Sequence, residues 1–403
     1  MILLDAAATT PVRRSALEAA WPYLTGTFGN PSSVHEPGLA AARGLAAARQ
    51  SVASFLGCRA SEVVFTSGGT EGANLCVKGL ALGAVLKSGR GRHVVTTRIE
   101  HEAVLESVAY LARVHGFAVT YVETDASGLV SPEGLRAALR SAPPEGTALV
   151  TIGWANNEVG TVQDVAALTS VAHEAGALFH TDAVQAVAAL PVSVGELGVD
   201  ALSFSGHKLG APKGSGAVFV RAGLPLEPVL HGGGQERGRR SGTENVAWAV
   251  ALATACTESA SSRSTRVLPS ARFETSDADP LETPVDAPFR VIEAVLEAVL
   301  EAVPGARLTG HPTRRLPRHA SFVLPGVNGE TVLLELERRG VIASAGSACA
   351  AGRTEPSHVL LALGCTADEA SGALRFTWTA DVTDAQLADA VRALEDAVAA
   401  VRS

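Results

Sequence analysis

Ser203-Phe204-Ser205-Gly206-His207-Lys208, followed by a return loop carrying Pro212, Gly214 and Gly216, is the stretch on which the reading of this chain turns. The apolar run over 200–204 predicts a strand that stops in small hydroxyl and glycine residues and then presents one amine. Lysine is scarce here, Lys78, Lys87, Lys208 and Lys213 being the only ones among 33 basic residues. A lysine at a strand's end, with Ser205 and His207 beside it as phosphate contacts, suits covalent attachment of pyridoxal 5′-phosphate, since the aldehyde needs an amine and the phosphate needs donors. The competing reading is a solvated lysine after a strand. The strand, the Ser-x-His-Lys run and the glycine-rich return loop together favour the cofactor.

Around this stretch the chain alternates short β-branched runs with longer Ala/Leu-rich amphipathic ones. Strands are expected at 62–66, 93–97, 118–122, 149–152, 177–180, 200–204 and 217–220, with helices at 39–56, 70–86, 102–115, 132–139 and 165–175 between most of them. This rhythm predicts an α/β fold, a mostly parallel seven-stranded sheet flanked by helices, with ligands at the carboxyl ends of the strands. From Ala320 the pattern becomes strand 321–324, helix 330–339, a small-residue loop, helix 356–363, strand 374–378 and helix 384–401, a smaller α+β unit. The expected organisation is a large domain over 13–257, a polar linker or insertion over 258–288 rich in Ser, Thr, Asp and Pro, and a small C-terminal domain over 289–403. Residues 1–12 are expected to pack on that small domain.

Composition narrows the function. With 403 residues, 47% of them hydrophobic, the chain can bury a large core, and its net charge of -8 argues against binding a nucleic-acid backbone directly. No run approaches a membrane span, and the first residues lack the pattern of a signal peptide, so a cytoplasmic protein is expected. Five cysteines, Cys58, Cys76, Cys256, Cys349 and Cys365, are widely spaced and form no CxxC pair, which indicates neither a disulfide framework nor a zinc ribbon.

Loops at the predicted strand ends supply candidate site residues. Ser67-Gly68-Gly69-Thr70-Glu71 joins a strand to a helix and can cradle a phosphate on its amides and the Thr70 hydroxyl, although such a turn is as readily structural. Neither GxxxxGK nor GxGxxG occurs. His101 follows a strand, and HExxH fails because position 105 is leucine, so no metal site is expected. That leaves His101 as a loop histidine or as an aromatic stacked on a cofactor ring. Asp182, just past another strand, can pair with a pyridine nitrogen or cap a helix.

Thr70, His101, Asn157, Asp182, Gln185, Ser205, His207 and Lys208 occur in the order and context of the fold-type I pyridoxal-phosphate enzymes. The chain resembles the cysteine desulfurases of the NifS/IscS group over nearly its whole length. The matching motifs are LDAAATTP (4–11), FGNPSSVH (28–35), FTSGGTEGAN (65–74), EHEAV (100–104), WANNEVGTVQD (154–164), HTDAVQAV (180–187), SFSGHKLGAPKGSGAVFV (203–220), HGGGQERGRRSGTEN (231–245), SAGSACAAGRTEPSHVL (344–360) and ALRFTW (373–378). The resemblance implies that Lys208 carries the cofactor, Asp182 meets its ring nitrogen, Gln185 its phenolic oxygen, and His101 stacks on the ring. It implies that Gly69, Thr70, Ser205 and His207 hold the phosphate, that Thr243 reaches the phosphate of the other subunit of a homodimer, and that Asn157 and Arg375 receive the substrate carboxylate.

Cys349 is expected to carry the distinctive chemistry. It stands in Ser344-Ala345-Gly346-Ser347-Ala348-Cys349-Ala350-Ala351-Gly352, small residues that offer no apolar pocket for a buried thiol. The spacing to Glu355-Pro356 resembles the class with the extended catalytic loop rather than the SufS-like one. The implied reaction removes sulfur from L-cysteine, giving L-alanine and a persulfide on Cys349, with His101 as proton shuttle. The persulfide then passes to an acceptor in iron–sulfur assembly, tRNA thiolation or another thio-cofactor route. Two departures from the resemblance stand out: the polar, proline-containing 258–288 segment, and the absence after Val401 of the extension that contacts an iron–sulfur scaffold in IscS-like members. A selenocysteine lyase or another class V aminotransferase would share Lys208 and Asp182, and a non-enzymatic sulfur-relay scaffold would not need every catalytic position filled.

Overall fold

In the computed structural model, which describes residues 1–263, 287–345 and 356–402, the first part of the chain forms β1 (Ile2–Leu3), α1 (Arg14–Thr25), α2 (Glu36–Leu56), β2 (Val63–Thr66), α3 (Gly69–Ser88), β3 (His93–Thr97), α4 (Glu102–His115), β4 (Ala118–Val122) and α5 (Pro132–Arg140). It continues through β5 (Leu149–Thr151), α6 (Val165–Glu174), β6 (Leu178–Asp182), α7 (Ala186–Ala189), α8 (Val194–Leu197), β7 (Ala201–Ser205), β8 (Gly216–Val220) and α9 (Val246–Arg263). The rest comprises α10 (Ala287–Ala302), β9 (Arg307–Leu308), β10 (His319–Val323), α11 (Gly329–Arg338), β11 (Val341–Ile342), α12 (His358–Ala362), α13 (Ala367–Ser371), β12 (Ala373–Thr377) and α14 (Asp384–Arg402).

Seven strands make one sheet in the order β2-β8-β7-β6-β5-β3-β4, with β8 antiparallel to both neighbours and all other pairs parallel. The central strands are buried on both faces, which is why they read as continuous apolar or β-branched runs. One helical layer packs Leu45, Val52 and Leu56 of α2 with Leu168 of α6 and Leu252 of α9 on one face, and α3 and α4 cover the other through Leu75, Leu80, Val104 and Leu111. His180 is a polar residue inside this sheet. Its Nδ1 meets Thr151 Oγ1 at 2.8 Å and its Nε2 meets Ser203 Oγ at 3.1 Å, a ladder across three strands directly below Asp182. Burial pulls this imidazole down to about 3, so it stays neutral.

Strand β10 pairs antiparallel with β12 and β9 in a second sheet, whose apolar face (Phe322, Leu324, Leu374, Phe376) packs with α10, α11 and α14. The N-terminal strand β1 pairs parallel with β11, Ile2 beside Val341 and Leu3 beside Ile342, and Leu4 enters that same core.

Element ends shift from the sequence expectation by up to three residues. Helix α9 runs to Arg263, six residues into the stretch expected to be linker, and α10 begins at Ala287; residues 264–286 lie outside the described residues. Helix α1 was not expected, because it carries Pro22 and points Leu17, Trp21 and Leu24 outward. No helix among the described residues is long and apolar enough to cross a membrane.

Candidate active site

All of the parallel strands that matter here, and β2, deliver their carboxyl ends to one side of the large sheet. Between them and β12 lies a cavity of about 330 Å³. Lys208, Asp182 and Gln185 line it, as do Gly69 and Thr70 from the β2–α3 turn, His101 from the β3–α4 turn, Asn157 after β5, Ser205 and His207 beside the lysine, and Arg375 from β12. Ten candidate residues, from six separate loops and strand segments, thus face one space. Thr243 is not among them: it borders a separate cleft with Arg240 and Trp248. Cys349 lies outside the described residues.

The β2–α3 turn is built as an anion seat. Gly68 adopts φ 154°, and α3 starts with no side-chain cap, so the amides of its first turn face outward unsatisfied by the helix itself. At Gly69 a Cβ would stand 2.6 Å from Val184 Cγ2, and a Cβ at Gly216 would stand 2.7 Å from Gly68 Cα. The turn therefore closes tightly only with glycine at these points. Beside it, burial and the nearby Lys208 and Lys213 charges pull His207 down to about 4, so the ring is neutral at pH 7; its Nδ1 meets Thr9 Oγ1 at 3.1 Å.

Asp182, at the end of β6, lines the same cavity. Among the described residues its hydrogen bond is from Val184 N–H to Oδ1, 2.9 Å. Burial raises its pKa, opposed by the His101 and Lys208 charges and that amide. A carboxylate so placed gains from a cationic N–H partner. His101 doubles as the N-cap of α4, its Nδ1 accepting from Ala103 N–H at 3.1 Å. That bond assigns the proton of the neutral ring to Nε2.

The N-terminal segment, which sequence reasoning assigned only to packing, touches four of these residues. Lys208 Nζ donates to the Ala7 carbonyl and, at 2.7 Å, to that of Ala8. Gln185 Nε2 donates to Ala7 O at 3.1 Å, Thr10 Oγ1 donates to His207 O, and Arg375 Nη2 lies 2.8 Å from Asp5 Oδ1. Backbone carbonyls leave no trace in residue type, so nothing in the LDAAATTP string announces them. Glu100 is the other addition. Only 4% exposed, it accepts from Thr97 Oγ1 at 2.7 Å and Gly153 N–H at 2.8 Å, and burial, reinforced by the Asp182 charge, pushes its pKa up to about 8.

The donor set fits pyridoxal 5′-phosphate: an uncapped helix start with Thr70, Ser205 and neutral His207 for a phosphate, a raised carboxyl at Asp182 for a protonated ring nitrogen, and an amine at Lys208.

A strand-end lysine sharing a cavity with a half-buried strand-end carboxylate, on a seven-stranded sheet with one antiparallel member, defines a class of enzyme scaffold. The chain belongs to the class-V aminotransferase family, whose family model matches residues 2–264 and 286–388. It is 42% identical over 376 residues to a protein of Methanosarcina thermophila named cysteine desulfurase IscS, covering 93% of this chain and 86% of that one. Among solved structures, a NifS-like protein superposes with a TM-score of 0.85 at 33% identity over 99% of both chains. A structure described as SspA in complex with cysteine superposes at 0.76, also at 33% identity, over 94% of this chain and 98% of that one.

Proposed function

We propose that this enzyme is a pyridoxal-phosphate-dependent cysteine desulfurase that takes sulfur from L-cysteine, releases L-alanine and carries the sulfur as a persulfide on Cys349. The observation that carries the reading is the convergence of Lys208, Asp182 and Arg375 on one cavity, in a chain whose relatives bear that name over nearly their full length. When bound, the cofactor would supply a conjugated ring that takes up the electron pair left when the substrate Cα loses its proton. Gly69, Thr70, Ser205 and His207 would hold its phosphate, Asp182 its ring nitrogen, Gln185 its phenolic oxygen and His101 its face.

Arg375 and Asn157 would receive the substrate carboxylate, which fixes the amino acid with its Cα toward Lys208. Lys208 Nζ, held by the Ala7 and Ala8 carbonyls while it is a free amine, takes the Cα proton and later returns one. His101 delivers a proton from Nε2. Cys349 attacks the substrate sulfur as thiolate: the S–S bond forms, the C–S bond breaks, and its electron pair stays with the carbon, which is protonated. L-Cysteine plus the Cys349 thiol thus becomes L-alanine plus the Cys349 persulfide, with no external oxidant or reductant.

An acceptor protein in iron–sulfur assembly, tRNA thiolation or another thio-cofactor route would then collect the sulfur, in the cytoplasm. A homodimer is the assembly this reading requires, with Thr243 reaching the phosphate of the second subunit. Trp21 (64%), Phe28 (72%) and Val34 (90%) are exposed apolar side chains of the kind such a contact would cover. The loop that ends at Thr243 is anchored for the purpose. Glu236 and Arg237 hold positive φ values of 51° and 60°, Glu236 forms a buried bidentate pair with Arg49, and Arg240 pairs with Glu71 of the phosphate turn. The deciding experiment incubates purified protein with L-cysteine and a reductant and measures sulfide and alanine together. Equal amounts of both are expected; a need for a keto acid, or alanine without sulfide, would exclude the reading.

A further inference from the structure

Arg375 already has an anion. Its side chain is 1% exposed, Nη2 lies 2.8 Å from Asp5 Oδ1, and Nη1 donates to the Asn157 carbonyl at 2.8 Å. Its backbone is fixed as well, by a bridge to Ser344 and by the strand pairing of β12. A buried guanidinium needs such compensation. A substrate carboxylate arriving at the same group must share it with Asp5, and two carboxylates on one guanidinium repel each other at low effective dielectric.

The acceptors of the N-terminal segment are matched to the cations of the cavity. Asp5 faces Arg375, and two residues later the Ala7 and Ala8 carbonyls face Lys208. The carbonyls suffice for the amine, which the reaction must release. Of these two cations, the N-terminal segment sets a carboxylate against Arg375 and carbonyls against Lys208. The α-carboxylate it would bind is common to L-cysteine and L-alanine, so any excess affinity there would hold the product as firmly as the substrate and gain nothing in the chemical step.

We propose that Asp5 is an internal counter-ion of Arg375 that holds down the affinity of the site for the α-carboxylate shared by substrate and product, so that the product amino acid is released. This rests on Arg375 being the carboxylate receiver of the proposed function. Asp5 is a positioning and affinity-setting residue and takes no part in bond making.

The test compares L-alanine with ethylamine, which is alanine without its carboxylate, by equilibrium titration of the cofactor-loaded enzyme. Asp5→Asn keeps an oxygen to accept from Nη2 and removes only the charge. The dissociation constant of L-alanine is expected to fall about tenfold, as for a change of roughly 1.4 kcal/mol, with the KM for L-cysteine falling in parallel and the ethylamine constant staying within about twofold. Unchanged or weaker alanine binding, or an equal change for both ligands, overturns the proposal. Asp5→Ser carries the same expectation, and failure of both neutral variants to fold and hold the cofactor would also overturn it, since Asp5 would then be a structural anchor. If L-alanine does not bind the wild type, the reading of Arg375 falls together with this inference. Sulfide release from L-cysteine on the same preparation separates that case from failure of the inference alone.

Discussion

Replacing Glu100 with glutamine should make the protein more stable at alkaline pH and change little at acid pH. The carboxyl is buried between Thr97 Oγ1 and Gly153 N–H, and burial lifts its pKa from 4.5 to about 8. Glutamine fits the same slot, its carbonyl accepting from Gly153 and its amide donating to Thr97. In the folded state Glu100 keeps its proton up to about pH 8, whereas in the unfolded chain it loses it near 4.5. The unfolded state therefore binds fewer protons in between, and stability falls as pH rises. The contribution is intact below about pH 4.5 and lost as pH passes through 8. A shift of 3.5 units at 1.36 kcal/mol each gives a full effect of about 5 kcal/mol. For a chain of 403 residues, with an unfolding entropy of about 2 cal/mol/K per residue, that corresponds to roughly 6 °C in melting temperature. Paired melts of wild-type and Glu100→Gln holoenzyme, at fixed ionic strength from pH 5 to 9, read it directly. The gap should open from about one degree at pH 5 to about six at pH 9. A gap that is flat across that range, or a glutamine variant that is the weaker one at pH 9, would show that Glu100 is ionised in the folded protein.

Lys208→Ala should abolish turnover and the visible absorbance of lysine-bound cofactor, and borohydride reduction with peptide mapping should find the cofactor on Lys208; its appearance on Lys78, Lys87 or Lys213 contradicts the assignment. Cys349→Ser should bind cofactor and L-cysteine yet lose sulfide and alanine release by at least on the order of a hundredfold, because a serine hydroxyl stays protonated where a thiol is already a few per cent thiolate. Mass spectrometry after a cysteine pulse without reductant should place the added sulfur on the Cys349 peptide, not on Cys58, Cys76, Cys256 or Cys365. Gly216→Ala, whose Cβ meets Gly68 Cα at 2.7 Å, should cost about 1–3 kcal/mol of stability and weaken cofactor binding at least tenfold; normal cofactor affinity would mean that the phosphate turn is not held by this contact. Sedimentation should show a homodimer, and a fully active monomer would remove the role given to Thr243.

The large sheet and part of the cavity lining were legible because those residues sit where an apolar run breaks into small polar residues: Ser205 to Lys208 at the end of β7, Asp182 at the end of β6, Gly69 and Thr70 after β2. Asn157, Gln185 and Arg375, the last in the middle of β12, stood out only through the family resemblance. Two-residue strands such as β1, β9 and β11 have no period to read. Helix α13 is five residues long, but Thr366 and Glu369 form a capping box, a signal that stands openly in the sequence. Helix α10 likewise displays Ile292, Val295, Leu296 and Val299 at helical spacing. Glu100 hid beside His101, since an acid at a strand end signals nothing until its burial is known. The acceptors at Ala7 and Ala8 belong to the backbone, and the pairing of Asp5 with Arg375 spans 370 residues, beyond any local pattern.

That span also sets an order of events during synthesis. At roughly 5–20 residues per second, the N-terminal strand waits on the order of 20–70 s for β11 and β12 to be made. All seven strands of the large sheet, and with them Lys208 and Asp182, are translated within the first 220 residues. The side of the cavity lined by Lys208 and Asp182 can thus take shape on the ribosome while Asp5, Leu4 and Ala7 still lack the partners they find in Arg375, the small core and Thr377. The newborn chain gains Arg375 last, from almost the final stretch, closing on almost the first.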